Sequence, residues 1–338
     1  MAVVMALGII TQGVLLNYFG THFFQGSFGK FISIFNLSLW FAFILSFLMA
    51  YLDGKFKEIH YSNRINRFGI GTWVAGTSIC GILFYIQFFH WGFISEIIAY
   101  LNIFLWIIYI AMCLKTLIEI TMTKSYRSVH GILLLTTVST QSIVLLITTV
   151  FKELPIIITM PLLIIGFCFY IVCVFFILYR YLTSSWSIEK DWNNTNCILH
   201  GALSISGIAC IKTGFINEIT IDFIWILATV IFCLVESIEV YRLFRRIKYY
   251  GIKKGIFIYD LTQWSRVFTF AMFYTFTFLI KPDLLIIIFV KGTILTSGVW
   301  IIMILFIIEL MLSIIFMVKT YKKSSRENHK KNEVTSSY

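Results

Sequence analysis

Charge is what this sequence has least of. Asp, Glu, Lys and Arg make up 13% of its 338 residues, where a soluble domain carries roughly a quarter. A chain so poor in charge cannot clothe itself in a solvated surface, which excludes an ordinary soluble globule. Catalytic signatures are missing too. No HExxH, GxSxG or Walker pattern occurs, so the usual hydrolytic and nucleotide-binding motifs are absent. None of the seven cysteines (Cys80, Cys113, Cys168, Cys173, Cys197, Cys210, Cys233) stands in a CxxC pair. Neither a zinc site nor a disulfide framework is indicated, no metal or other cofactor is expected, and the thiols are read as small apolar fillers.

What is present is apolar sequence in long runs. The chain is 59% hydrophobic, with a mean hydropathy of +0.90. Runs of about 17–25 residues, enough to cross a bilayer, recur along most of its length. A spanning segment must satisfy its own backbone, so it is a helix or part of a closed barrel. The runs are continuous, without ten-residue alternation, and this selects helices. The fold class expected is therefore an all-α polytopic membrane protein. Ten spans are expected, near 1–18, 32–51, 69–90, 95–118, 131–150, 155–179, 197–216, 222–241, 256–280 and 294–318. The first has neither a charged leader nor a small-residue cleavage pattern and is read as a retained helix. Residues 1–318 form one transmembrane domain in this reading, and 319–338 form a disordered basic tail.

The few charges are unevenly placed. Of the 27 Lys and Arg, 20 fall in the loops after even-numbered spans and in the tail, and 5 fall on the opposite side. Basic residues collect on the cytoplasmic side, so both termini are expected there, in a cell membrane. The net charge of +11 is thus a topology signal and a contact for anionic lipid headgroups; nucleic acid is not an expected partner.

The helices also fall into two kinds. In one 18-residue window from each span, Gly, Ser and Thr number 26 of 90 residues in the odd spans and 7 of 90 in the even ones. Small and hydroxylated residues allow close helix packing or line a polar path, and bulky aliphatic helices suit lipid. Short outer connections such as HWGF and FKELP make neighbouring spans antiparallel. Together these suggest five helical hairpins, odd helices inside and even helices outside. Candidate path-lining residues are Gly8, Thr72, Gly76, Thr136, Ser139, Ser204 and Thr262, with Arg266 on the same helix as the last.

Ionisable groups at membrane depth mark functional sites by default. They are His200, Asp260 and Arg266 on odd spans, and Glu236, Glu239 and Glu309 on even ones. Glu236 and Glu239 precede Arg242, Arg245 and Arg246 by about a turn or two, which points to ion pairing along one helix. Asp260 and Arg266 are six residues apart, about 120° off one face, which disfavours a direct pair. Arg266 then either pairs with Glu309 or with Asp260 of another helix, or faces an anion path. His200 alone reads as a hydrogen-bonded packing residue sooner than as a ligand.

Three odd-span segments resemble the tellurite-resistance/dicarboxylate transporter family, which includes the slow-type anion channels of plants and fungal malate and sulfite transporters. AVVMALGII (Ala2–Ile10) is similar to the first-helix pattern A-x-V-M-A/G-T-G-I, with Leu7 in place of Thr. HGALSI (His200–Ile205) is similar to the seventh-helix pattern G-A-x-A-I. QWSRVFTFAMF resembles the ninth-helix pattern W-S-x-V-F-P-L-G-M-Y through Trp264, Ser265, Val267, Phe268 and Met272, with Thr269 and Ala271 at the proline and glycine positions and Arg266 where an apolar residue is usual. The resemblance covers about residues 1–318. It implies five hairpins around a central pore, a homotrimer, a small inorganic or organic anion as the transported partner, and Phe268 as the gate. The rival readings are a ten-helix drug/metabolite-type carrier, which predicts similar halves, and a membrane-embedded enzyme, which needs clustered acid and base groups. Neither pattern is visible.

Overall fold

A computed structural model describes residues 1–151, 154–189, 191–255 and 257–335, with the side chains of 253, 254 and 323–335 left out. Its described residues are helical, without a strand. Ten long helices follow one another: α1 (Ala2–Gln25), α2 (Ser27–Leu52), α3 (Arg64–Gln87), α4 (Phe89–Met122), α5 (Gly131–Val150), α6 (Ile156–Thr183), α7 (Ile198–Thr213), α8 (Glu218–Gly255), α9 (Gln263–Leu279) and α10 (Leu285–Thr335). Eight helices among the described residues are long and apolar enough to cross a membrane; α7 and α9, of 16 and 17 residues, are shorter. The protein is thus a helical, membrane-type chain.

Local chemistry sets the ends. Gly214, at φ 71°, closes α7 in the left-handed conformation that a Cβ disfavours. Asn193 accepts from the Thr195 N–H and starts the turn that leads into α7. Asp260 accepts from both the N–H and the hydroxyl of Thr262; this Asx turn delays α9 until Gln263. The ninth run was expected to be helical from 256, and the described residues 257–262 are not. The first helix runs on past 18 to Gln25, bent at Gly20. The basic tail falls mostly outside the described side chains; its backbone continues α10 to Thr335, and 336–338 are not described. The connection FKELP likewise includes two residues, 152 and 153, outside the described set.

Burial separates the helices as small-residue content does. The apolar windows of α1, α3 and α5 are 61, 56 and 89% buried, against 11, 28, 33, 28 and 17% for α2, α4, α6, α8 and α10. In α7, 13 of 16 residues are buried, and in α9, 11 of 17. The buried helices form a closed ring: α1 touches α3, α3 touches α5, α5 touches α7, α7 touches α9, and α9 returns to α1. Outside it, α2 lies on α3, α4 on α3 and α5, α6 on α5 and α7, α8 on α7, and α10 on α9. Apolar outer helices exposing Phe104, Ile171, Phe223 and Ile304 have no water-compatible face, as lipid contact requires.

Small residues let the ring close. A Cβ on Gly201 would run into Thr269, and one on Gly207 into the Phe276 ring, so α7 and α9 meet at a distance only glycine permits. Gly207→Ala is expected to lower thermal stability in detergent by about 1–3 kcal/mol through overpacking. Gly292→Ala, at a position with no neighbour within 4 Å, is the neutral control; equal melting of both variants would contradict the close approach.

The ring is also tied at the helix starts. His130 Nδ1 lies 2.8 Å from Thr195 Oγ1, and the Gly131 N–H donates to Asn196 Oδ1 at 2.9 Å. Burial, and after it the charge of Arg180, pushes the His130 pKa down to about 4. The unfolded value is about 6.5. The folded form therefore binds fewer protons, so its contribution to stability is whole above pH 6.5 and is lost as pH falls through 4. Wild type is expected to melt lower at pH 5 than at pH 7.5, with a smaller difference in His130→Asn; an unchanged difference would contradict this.

Candidate functional site

A cavity of about 10 Å³ lies inside the ring, lined by Ala2, Met5, Thr72, Leu135, Ile198, Ser265 and Phe268. These residues come from α1, α3, α5, α7 and α9, so all five buried helices contribute. Ala2 opens α1, Thr72 follows the 3-10 turn Phe68–Ile70 inside α3, Leu135 and Ile198 follow short 3-10 turns, and Ser265 and Phe268 are the third and sixth residues of α9. α1, α7 and α9 thus present residues of their first two turns to the cavity, and a helix start carries a partial positive charge. The cavity holds a single water at most. Phe268, 2% exposed, is the aromatic side chain in its lining.

Arg266 does not share that face. Two residues along a helix is a 200° rotation, so Phe268 faces the centre and Arg266 turns outward to α8. There its Nε lies 3.5 Å from Glu236 Oε2 and its Nη2 2.9 Å from Glu239 Oε1. Glu236 Oε1 in turn lies 3.8 Å from His200 Nε2. Glu239 accepts from Trp192 Nε1 at 2.8 Å and pairs with Arg242 at 3.3 Å. Arg242 donates to Asn194 Oδ1 at 2.7 Å, and the Asn194 amide donates to Asp260 and Thr262, both at 3.0 Å. The result is a polar chain from exposed Asp260 inward to fully buried His200. Its two arginines and two inner glutamates balance, with Asp260 at the exposed end, which is how such charges are tolerated away from water.

Several expectations are corrected by this geometry. Arg266 pairs with neither Glu309 nor Asp260 and does not line the cavity, because the turn from 266 to 268 puts them on opposite faces of α9. Glu239 does pair with Arg242 on its own helix, but Glu236 reaches across to α9 and α7, and Arg245 pairs with Glu189. Neither ring nitrogen of His200 has a hydrogen-bond partner among the described residues, and its Nε2 faces Glu236 Oε1 at 3.8 Å. Glu309 is buried, and its Oε1 has no hydrogen-bond partner among the described residues.

Of the other candidates, only Thr72 lines the cavity. The hydroxyls of Thr136, Ser139 and Ser204 donate to carbonyls of their own helices. Gly8 packs where a Cβ would strike Ile79, and Gly76 meets Met5 and Met1 at ordinary distances. Thr262 belongs to the cap of α9. Sequence reasoning missed Ala2, Met5, Leu135, Ile198 and Ser265 as lining residues; the available signal for the first four was their place early in the odd runs. It also missed Trp192 and Asn194, in the polar DWNNTN segment before α7.

No family model matches this chain, and no curated protein matches it.

Proposed function

We propose that this protein moves small anions across the cell membrane along a path between the five inner helices, closed by Phe268. The observation that carries this reading is the small cavity lined by residues of all five, with one aromatic ring, Phe268, among them. Hydrophobic constrictions of this kind exclude hydrated ions. Helix starts near the cavity favour a negative solute without a fixed cation in the path. That suits weak binding and quick release, and the arginine nearby is already neutralised by two glutamates.

In this reading all ten helices span, as five hairpins with both termini cytoplasmic. The 17 residues of α9 give about 25 Å of helix, short of a bilayer core of about 30 Å. An inner helix covered by others meets no lipid and need not match it. The motif resemblance to the tellurite-resistance/dicarboxylate transporters supports the same architecture and adds a homotrimer with one path per subunit. The solute is chloride, nitrate, sulfite, a C4-dicarboxylate or a tellurite-class oxyanion, carried by transport and not by an enzymatic step.

The test is flux from liposomes holding purified protein, under gradients of chloride, nitrate and malate, with potassium as the cation control. Faster anion than cation release supports the proposal. Well-folded protein, with Phe268→Ala included, that releases none of the three anions overturns it.

A further inference from the structure

His200 is the one member of the polar chain whose chemistry the ion pairs leave unexplained. It is completely buried, with Phe232, Phe270 and Phe273 edge-on at centroid distances of 4.9, 6.0 and 6.3 Å. A neutral imidazole has one donor and one acceptor, and here neither ring nitrogen has a hydrogen-bond partner among the described residues. The polar atom nearest in kind is a carboxylate oxygen, Glu236 Oε1, 3.8 Å from Nε2 and also unpartnered. The second oxygen of Glu236 faces Arg266. One carboxylate thus stands between an imidazole on α7 and a guanidinium on α9.

We propose that His200 and Glu236 form a proton-binding pair whose occupancy sets how firmly α8 holds α9, and through α9 the position of Phe268. The gating part of this statement rests on the function proposed above; the proton site does not. A proton reaching the imidazole makes an imidazolium with Glu236 as its counter-ion, and no bond other than the new N–H is formed. Glu236 is then shared between two cations in place of one. The four balanced charges become a cluster with one excess positive charge, which weakens the grip of Glu236 on Arg266. Phe268 sits two residues from Arg266, so a turn or shift of α9 moves the ring in the cavity.

The charged and titratable surroundings are consistent with a local switch. From α8 come Glu236, then Glu239 and Arg242; from α9 comes Arg266. Cys197 stands one turn before His200, and the Tyr170 hydroxyl of α6 donates to the Leu199 carbonyl. Beyond Arg242 the chain reaches exposed Asp260 through Asn194, a polar line from water toward the buried pair.

The experiment uses full-length protein in liposomes at pH 7.5 and 5.5, with wild type, His200→Phe, Glu236→Gln and Phe268→Ala. Chloride flux and the pH-induced infrared difference spectrum are read together. Wild-type flux is expected to rise about tenfold on acidification, as one linked proton can produce. His200→Phe, whose ring suits the aromatic surround, is expected to lose that rise and the imidazolium band. Glu236→Gln, nearly isosteric, carries the same test should His200→Phe fail to fold: it is expected to show raised flux at both pH values and no carboxylate band shift. A wild-type acid response retained in both variants, or an imidazolium band indifferent to His200, overturns the proposal. Flux in Phe268→Ala no greater than in wild type, with the His200 band still present, defeats the gate reading and leaves the proton pair standing.

Discussion

Arg266→Ala is expected to unfold much of the protein. Arg266 carries ion pairs to both Glu236 and Glu239 across the α8–α9 contact, in a region where its side chain is 14% exposed. Removing one partner of a buried pair costs about 3–5 kcal/mol, because the opposite charge stays behind without compensation. Glu239 keeps Trp192 and Arg242, whereas Glu236 keeps, among the described residues, only His200 at 3.8 Å. The damage should therefore sit mainly on Glu236. The double variant Arg266→Ala/Glu236→Gln is expected to recover a large part of the lost thermal stability, and Arg266→Lys to lose less than the alanine. Size-exclusion profiles after heating in detergent report all three. If Arg266→Ala melts like wild type, the pairs do not hold α9.

Substitutions at Phe268 should separate stability from conduction. The ring is 2% exposed, and deleting it costs about 3–5 kcal/mol in a packed site. A gate makes a second demand that a mere core residue does not. As the side chain shrinks from Phe to Leu to Ala, melting temperature should fall while anion flux rises, the alanine by an order of magnitude or more. Trp264, equally buried at 1%, packs on Phe306 of α10 at 5.9 Å, away from the cavity lining. Trp264→Phe is expected to cost stability without opening a path. Loss of stability at Phe268 with no gain in flux would make it an ordinary core residue.

The membrane class and most helix positions could be read in the sequence because both follow from local quantities. Length and hydropathy of each run are visible without knowing any neighbour. The division of helices was visible as well: glycines such as Gly201 and Gly207 are selected by close approach, and that selection shows in composition. Partners were a different matter. Helical rotation set Asp260 and Arg266 apart, although Asp260 stands before α9 and not on it; the same rotation, which turns Arg266 away from Phe268, was not applied to an arginine counted among the path candidates. Which carboxylate Arg266 meets depends on how α8 lies against α9, and no spacing within one run encodes that. The hydroxyls of Thr136, Ser139 and Ser204 looked like path-lining groups because hydroxyls suit both roles; in the structure they bond to their own helix backbone. The cavity itself is lined largely by Ala2, Met5, Leu135 and Ile198, residue types that carry no polar signal to notice.

The most direct measurement is current across a planar bilayer containing Phe268→Ala beside wild type, under a chloride gradient. The expected result is a quiet wild type at neutral pH and a conducting variant whose reversal potential lies near that of chloride. A variant as silent as wild type, or one that reverses near the potassium potential, would contradict an anion path closed by Phe268.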